Sequence, residues 1–408
     1  MKAICAASYC ENGNGSRFQD ANRKEKGSYR SETQPVERLQ MPGVLDLEIK
    51  QTHQRSLRIS FQHRALEGFM TRAIFAFLTA LVVASTHTPL VNAADSSEAT
   101  TSSMAFVTGP YLGQEPQGSD PQIFAPGIVS TDTREWGMAV TPDGNEIFFG
   151  ISSQESTAVV HTKRKTAGWT PLVVTAFSGA FDDFDLTMAP NGDRIYFTSS
   201  RPVTPGGEEL NNTDIWYVDR IEGAWGDPIH LPVPINTSAR ELYPSESADG
   251  FLYFFSSRSG GFGGSDIYSA EISPGGFGPP TNLGPNVNTE AGESDACVSP
   301  DGSFLVFTSA RDDGFGKGDL YVTFKRPDGT WSPATNLGAT VNTESTEFCP
   351  SLSPDGKFLF FTSNRPRPRP LPTRDGGLRE RLGVTLEDVP PDIDIYWVDA
   401  SFIDEFRP

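Results

Sequence analysis

Histidine and cysteine are scarce in this sequence, which holds five histidines and four cysteines in 408 residues. Zinc sites and Ser-His-Asp triads depend on these side chains, so histidine-based metal or nucleophilic chemistry has few candidates. Cys297 and Cys349 are the two cysteines that follow residue 93, and no cysteine spacing typical of a metal site exists. Either a disulfide joins this pair or both are free buried thiols.

Positive charge is also in short supply. The chain has 33 lysines and arginines against 52 aspartates and glutamates, with a net charge of −19. Such a chain is repelled by the phosphates of nucleic acids and by anionic membrane surfaces, so neither is an expected partner. An acidic surface instead attracts cations and basic partners.

The apolar run at residues 73–84 is too short to span a bilayer comfortably. It follows Met70-Thr71-Arg72 and precedes Val91-Asn92-Ala93, which gives it the basic start, apolar centre and small-residue end of a secretory signal. We therefore predict a signal peptide over residues 70–93, with a single membrane anchor as the alternative. The mature chain would then be periplasmic or extracellular, with no membrane span after signal cleavage.

Residues 1–69 are polar and are expected to lack helical and strand periodicity. Because a signal normally begins at the N-terminus, we predict that translation starts at Met70 and that residues 1–69 are a mis-annotated extension. A non-structured cytoplasmic extension is the alternative. Residues 94–119 are interpreted as a linker to the domain that follows.

Internal repetition is the strongest signal in the chain. A turn phrase of the Pro-Asp-Gly type returns about every 50 residues, at Thr141-Pro142-Asp143-Gly144, Ala189-Pro190-Asn191-Gly192, Ser247-Ala248-Asp249-Gly250, Ser299-Pro300-Asp301-Gly302 and Ser353-Pro354-Asp355-Gly356. Proline presets φ, and glycine or asparagine accepts positive φ, so each phrase predicts a tight turn. Strand-forming residues such as Leu252-Tyr253-Phe254-Phe255 follow each turn and predict the second strand of a hairpin.

The rest of each unit also repeats. Most units continue with a Ser-Ser-Arg-like phrase, a glycine-rich loop, a strand that opens with aspartate, and a fourth strand with an aromatic residue and a proline. Four short strands in about 50 residues are typical of a propeller blade. The pattern resembles the WD40-like, proline-aspartate-glycine repeats of the TolB family over roughly residues 120–400. We therefore predict an all-β fold over residues 120–408, a five-bladed β-propeller of four-stranded antiparallel blades, with a sixth, degenerate blade as the alternative.

The ends of the repeat region predict how the ring closes. The last unit ends at Tyr396-Trp397-Val398 and has no fourth strand after it. Residues 122–129 precede the first unit and resemble the fourth strand of a blade. Adding the N-terminal segment to the last blade would remove the open edge.

Strand order places an acidic residue of every unit at the mouth of the central channel. These residues are Glu135, Asp183, Glu241, Glu293 and Glu347, and Asp185 and Asp295 lie two residues further on. Such a ring could bind a cation, or a basic or polyhydroxylated ligand. The alternative is that each acid accepts backbone N–H groups or pairs with the arginine of its own blade, since structural ion pairs also gather charge.

The repeated arginines, Arg201, Arg258, Arg311 and Arg365, are interpreted in the same way. An ion pair of each arginine with Asp or Glu would hold the loop that follows it. The fourth-strand aromatic residue is expected to pack between blades rather than to form a platform for a sugar.

Residues 366–393 form an insertion between the second and third strands of the last blade. It carries Arg367, Arg369, Arg374, Arg379 and Arg381 on an otherwise acidic protein. We predict a lid over the channel mouth or a docking segment for a partner, with a solvated proline-rich loop as the alternative.

The resemblance to TolB-like propellers implies a non-catalytic scaffold of the cell envelope that binds proteins or another ligand. We expect envelope proteins, or a small, cationic or carbohydrate ligand, as partners of a monomer. The enzymatic alternatives are a carbohydrate-active hydrolase or lyase that uses channel carboxylates, and a lactonase-like enzyme with calcium bound by those acids. Because the five acids are equivalent by repeat, catalysis and a cofactor are not expected.

Overall fold

The computed structural model describes residues 108–116, 118–131, 133–152, 156–367 and 393–408, together with the backbone of three strands nearer the N-terminus. Those strands, β1 (Arg38–Gln40), β2 (Asp46–Gln51) and β3 (Leu57–Phe61), form an antiparallel sheet in the order β1-β2-β3. They belong to a compact unit of their own, Asn14–Ser97.

These three strands differ from the expectation that residues 1–69 lack strand periodicity. Both β2 (DLEIKQ) and β3 (LRISF) alternate apolar with polar residues, which is the period-two pattern of a strand. The start of translation at Met70 stays a prediction, and the expected signal peptide at 70–93 lies outside the described residues.

Five further sheets form the blades, after a short strand β4 (Gln122–Ile123). Blade 1 consists of β5 (Arg134–Val140), β6 (Glu146–Ser152), β7 (Thr157–Lys165), β8 (Gly168–Trp169) and β9 (Val173–Val174). Blade 2 consists of β10 (Asp183–Met188), β11 (Arg194–Ser199), β12 (Asp214–Ile221), β13 (Ala224–Trp225) and β14 (Ile229–His230). Blade 3 consists of β15 (Glu241–Glu246), β16 (Phe251–Ser256), β17 (Asp266–Ser273), β18 (Gly276–Phe277) and β19 (Thr281–Asn282).

The last two blades complete the ring. Blade 4 consists of β20 (Glu293–Val298), β21 (Phe304–Ser309), β22 (Asp319–Phe324) and β23 (Thr335–Asn336). Blade 5 consists of β24 (Glu347–Leu352), β25 (Phe358–Ser363), β26 (Asp394–Asp399) and, as its fourth strand, β4. The inner strands β5, β10, β15, β20 and β24 contact one another in ring order, and β24 returns to β5. The fold is therefore a five-bladed propeller, as predicted, and no sixth blade lies among the described residues.

The fourth strand of blades 1 to 3 is split into two short pieces that pair with opposite ends of the third strand. Residues such as Pro171 and Pro228 lie between the pieces. Proline cannot donate to a strand ladder, so pairing stops there and resumes beyond it.

The ring closes as predicted, over a shorter segment than residues 122–129. Ile123 pairs with Tyr396 and Gln122 with Trp397, and Phe124 donates its N–H to the carbonyl of Ile395 at 2.8 Å. The ring of Phe124 packs edge-on against Phe360 and Trp397, with centroids 5.3 and 5.1 Å apart. Backbone pairing and buried aromatic packing thus join the N-terminal segment to blade 5.

The described part of the expected linker packs against the blades. The ring of Tyr111, in a 3₁₀ turn at Tyr111–Gly113, lies edge-on to Phe358 with centroids 5.2 Å apart. Leu112 is buried, and the carbonyl of Gly109 accepts a hydrogen bond from the indole of Trp169 at 3.0 Å. The described residues from 108 to 113 therefore pack against the propeller. A second 3₁₀ helix, Ala400–Phe406, follows β26.

The core lies between neighbouring blades, where aromatic residues of the second and fourth strands meet. Trp225 of blade 2 packs edge-on against Phe148 of blade 1 at 5.7 Å, and Trp331 of blade 4 packs against Tyr253 of blade 3 at 5.9 Å. The fourth-strand aromatic residues therefore pack between blades, as expected. None of the helices among the described residues is long and apolar enough to cross a membrane.

Two faces of the disc follow from the strand order. The turns of the Pro-Asp-Gly type lie on one face, which we call the turn face. The loops between second and third strands and the connections from one blade to the next lie on the other, which we call the loop face.

Candidate functional site

The five repeat carboxylates lie at the loop-face ends of the inner strands. Glu135, Asp183, Glu241, Glu293 and Glu347 occupy equivalent positions there, and all five are buried. The structure thus brings together the predicted ring of acids, and the partners of each carboxylate indicate what it does.

Glu347 shows the arrangement that recurs in blades 3, 4 and 5. One oxygen accepts the backbone N–H of Thr343 at 2.8 Å, and the other accepts its hydroxyl at 2.8 Å. Ser363 and Arg365, from the end of the second strand, donate to the carboxylate at 2.7 and 3.1 Å. Glu241 and Glu293 accept from the equivalent threonine, serine and arginine.

The arginine of this cluster joins three parts of its own blade. Arg365 donates to the carbonyl of Val341 at 2.6 Å and lies over the ring of Tyr396, 4.7 Å from its centroid. Arg201 of blade 2 pairs with Asp183 at 2.6 Å. The predicted pairing of each arginine with an acid of its blade is therefore observed, and a buried charge-assisted hydrogen bond of this kind ties the blade together.

Glu135 of blade 1 is the exception, because its blade has no equivalent arginine. The carboxylate accepts hydrogen bonds from the hydroxyls of Thr131 and Thr133. Burial without a cationic partner raises the pKa of Glu135 to about 7, since desolvation disfavours the charged form.

A second ring of equivalent positions lies two residues further along each inner strand. Its members are Gly137, Asp185, Tyr243, Asp295 and Cys349, and all five have φ between +49° and +55°. The pairing between first and second strands shifts its register at each of these positions, so each marks a β-bulge. Positive φ is uncommon for residues other than glycine, and such strained positions cluster at functional sites.

Tyr243 closes the channel. Its hydroxyl donates a hydrogen bond to the carbonyl of Pro350 at 2.8 Å. These residues belong to blades 3 and 5, which are not neighbours in the ring, so the side chain spans the channel. Sequence reasoning missed this residue, because only the acids of this second ring stood out in the repeat.

Asp185 and Asp295 lie beside this tyrosine, in blades 2 and 4. Asp295 is 5% exposed and accepts the backbone N–H of Cys349 at 3.1 Å. Asp185 is 8% exposed, and its side chain makes no hydrogen bond to the described residues. Burial first, and then the negative charge of Asp295, raise the pKa of Asp185 well above its ordinary value, and burial also raises the pKa of Asp295. Such a pair favours a shared proton.

The remaining sequence candidates have other roles or stay open. Cys297 and Cys349 are buried thiols that form no disulfide, so the disulfide alternative does not hold. Arg367, at the start of the expected insertion, is tied to Asp394 and donates to the carbonyl of Thr131 at 2.6 Å. The lid and docking predictions concern residues 368–392, which lie outside the described residues.

The channel ends on the turn face in a small cavity of about 50 Å³, lined by apolar residues such as Met138 and Leu352 and by polar residues such as Thr187 and Ser245. Across the described ranges, no three histidine, cysteine, aspartate or glutamate side chains are placed to hold a metal ion.

Solved structures of other proteins are distantly similar to this chain. No protein-family model matches the sequence, and no curated protein matches it. Similar solved structures include a putative TolB from Agrobacterium tumefaciens, at 18% identity and a TM-score of 0.39, covering 57% of this chain and 70% of that one. TolB from Acinetobacter baumannii matches at 16% identity and a TM-score of 0.39, over 66% of this chain and 55% of that one.

An α-L-arabinofuranosidase from Lactobacillus brevis is also similar, at 14% identity and a TM-score of 0.41, over 62% of this chain and 90% of that one. In the comparison with TolB from Acinetobacter baumannii, the matched region is about half of that protein. Similarity at this level does not bear on the function of this chain.

Proposed function

We propose that this chain is a non-catalytic binding propeller that acts as a scaffold for proteins or another ligand in the cell envelope, in the periplasm or outside the cell. The observation that carries the proposal is the bonding of the repeat carboxylates. Four of the five are held by the arginine of their own blade, and Glu135 is held by two threonines. Carboxylates with these partners connect loops and strands of the same blade, and they are buried away from a substrate.

The closed channel also supports binding rather than catalysis. A glycoside hydrolase needs two carboxyl groups that flank a sugar bond. Of the seven predicted channel carboxylates, Glu135, Asp185 and Asp295 have no arginine partner among the described residues. Asp185 and Asp295 are both buried in the inner strands that also carry Tyr243 and Pro350. Both carboxyls are at most 8% exposed, so a sugar ring could not reach them without a rearrangement of the channel.

The loop face offers the variation that a binding surface needs. Its glycine-rich loops differ between blades, and that of blade 2 carries the exposed residues Thr204–Glu209. Rigid strands that present variable loops are a common arrangement for recognition. The resemblance to TolB-like repeats and the expected signal peptide support a location in the envelope, with proteins as partners.

A hydrolase remains the second candidate, because one observation favours it. Asp185 and Asp295 both have raised pKa values, and perturbed carboxyl groups cluster at catalytic sites. For a calcium-dependent lactonase no comparable observation exists.

Affinity capture and activity assays on the same protein test the proposal. The chain from Ala94 to Pro408, immobilised and exposed to envelope extract, is expected to retain a defined partner. The double variant Asp185→Asn/Asp295→Asn should retain the same partner, because these side chains are buried in the inner strands and do not belong to the exposed loops. Aryl glycosides and lactones, with and without millimolar calcium, should not be hydrolysed faster by the wild type than by this variant. Turnover that the double substitution abolishes would replace the binding function with an enzymatic one.

A further inference from the structure

Two phenylalanines stand out on the loop face because they are exposed. Phe262 of blade 3 and Phe315 of blade 4 are 46% and 48% exposed. They occupy equivalent positions in the loops between the second and third strands, within the phrases Gly261-Phe262-Gly263 and Gly314-Phe315-Gly316. Exposed aromatic side chains that recur at equivalent positions are typical of an interaction surface rather than of a solvated loop.

Each phenylalanine is held in place by the aspartate that opens the third strand. The carboxylate of Asp266 accepts the backbone N–H groups of Phe262 and Gly263 at 2.7 and 2.9 Å. Asp319 accepts those of Phe315 and Gly316 at 2.6 and 3.0 Å. Both aspartates are buried, so the loops are fixed before any partner binds. A preorganised loop loses little entropy on binding.

The glycines of these loops fix them against the next connection between blades. A Cβ atom on Gly263 would lie 2.4 Å from the carbonyl oxygen of Thr289, and one on Gly316 would lie 2.0 Å from that of Ser345. Only glycine permits this close approach. Loop and connection therefore form one continuous surface in blade 3 and again in blade 4.

The charge of this surface is negative. Glu290 and Glu344 are exposed in the two connections, and Asp312 and Asp313 are exposed in the loop of blade 4, with Lys317 as the exposed cation of these segments. The neighbouring arginines, Arg258 and Arg311, are already paired with Glu241 and Glu293. A basic partner is therefore favoured over an acidic one.

We propose that the loop face of blades 3 and 4 binds a basic segment of a partner protein, whose apolar side chains cover Phe262 and Phe315 and whose lysines or arginines meet the acids around them. This inference rests on the proposed binding function and names the surface and the chemistry of the partner. Two aromatic anchors within an acidic surround match the usual division of an interface into an apolar centre and a polar rim.

A random 12-residue peptide display library, selected on the full chain, tests the proposal and does not require the partner to be identified. We expect the enriched peptides to combine lysine or arginine with aromatic or aliphatic residues. They should bind the double variant Phe262→Ser/Phe315→Ser at least about tenfold more weakly, as loss of anchor residues predicts. Val173→Ser/Ile229→Ser is the matched control, because these side chains are similarly exposed but lie in fourth strands.

The acids are tested with the same peptides. Glu290→Gln/Glu344→Gln should weaken binding and reduce its dependence on salt. Enrichment of acidic peptides, absence of enrichment, or equal binding to the phenylalanine double variant would overturn the proposal. The proposal would also be overturned if the wild type forms a dimer and the phenylalanine double variant does not, since the surface would then join two copies of the chain. If the envelope partner still binds the phenylalanine variant with full affinity, the binding function stands and this surface is wrong.

Discussion

The hydroxyl of Tyr243 in blade 3 donates a hydrogen bond to the carbonyl of Pro350 in blade 5, across the centre of the propeller, at 2.8 Å. Tyr243 is fully buried and has a φ of +49°. A strained backbone position therefore directs a large side chain across the channel. This side chain lies between the acids of the loop face and the small cavity of the turn face. The propeller is a closed disc with a binding surface rather than a pore.

Tyr243→Phe tests this bridge. The variant keeps the ring but leaves the buried carbonyl of Pro350 without this donor, so we expect the free energy of unfolding to fall by about 1–2 kcal/mol. Urea unfolding measures the change. Tyr217→Phe is the control, because the hydroxyl of Tyr217 makes no hydrogen bond to the described residues, and it should change stability by less than about 0.5 kcal/mol. Equal effects of the two variants would argue against the bridge.

Glu347→Gln tests the carboxylate–arginine cluster. The amide can still accept from Thr343, but it leaves the guanidinium of Arg365 without its counter-ion in a mostly buried site. We expect a loss of about 2–4 kcal/mol in the free energy of unfolding. The control is Glu344→Gln, because Glu344 is exposed and lies three residues earlier. Its free energy of unfolding should stay within about 0.5 kcal/mol of the wild-type value. Unchanged stability of Glu347→Gln would mean that the ion pair does not hold the blade.

Glu135→Gln should instead reveal a dependence on pH. Burial raises the pKa of Glu135 from 4.5 to about 7, so the folded state binds a proton more tightly than the unfolded state. The stability that this group contributes is then fully present below about pH 4.5 and is lost as the pH rises through about 7.

The glutamine variant lacks this titration. Its free energy of unfolding, relative to the wild type, should increase between about pH 5 and about pH 8. Chemical denaturation at a series of pH values gives the difference. A constant difference over that range would show that Glu135 is ionised throughout, and Glu344→Gln provides the flat reference.

Phe124→Ala tests the closure of the ring. The aromatic side chain of Phe124 is buried between Phe360 and Trp397. Its removal should lower the free energy of unfolding by about 3–5 kcal/mol, because apolar burial is lost and a cavity is left. Amides of β26 should also exchange faster with solvent, because β4 is its outer partner. Phe262→Ala, at an exposed position, is the control. Slow exchange in β26 together with a large loss of stability would mean that the ring stays closed without this anchor.

The sequence by itself determined the architecture. Turn chemistry at Pro190-Asn191-Gly192 and its equivalents, with the strand formers after each turn, is local and recurs with one period. The unpaired ends of the repeat region also predicted that the segment around Phe124 completes blade 5. The strands within residues 1–69 were missed although their alternation was readable, because the segment as a whole is polar.

Only the tertiary structure decided what the repeated residues do. The sequence left two roles open for Glu347, as a ligand contact or as a partner of Arg365, because both roles need a carboxylate at that place. The contacts decide in favour of the arginine, which follows the second strand of the same blade. Tyr243 acquires its role from Pro350, 107 residues away in the chain. The contact of Tyr243 with Pro350 depends on the closure of the ring, which brings non-neighbouring blades face to face across the channel and leaves no local pattern in the sequence.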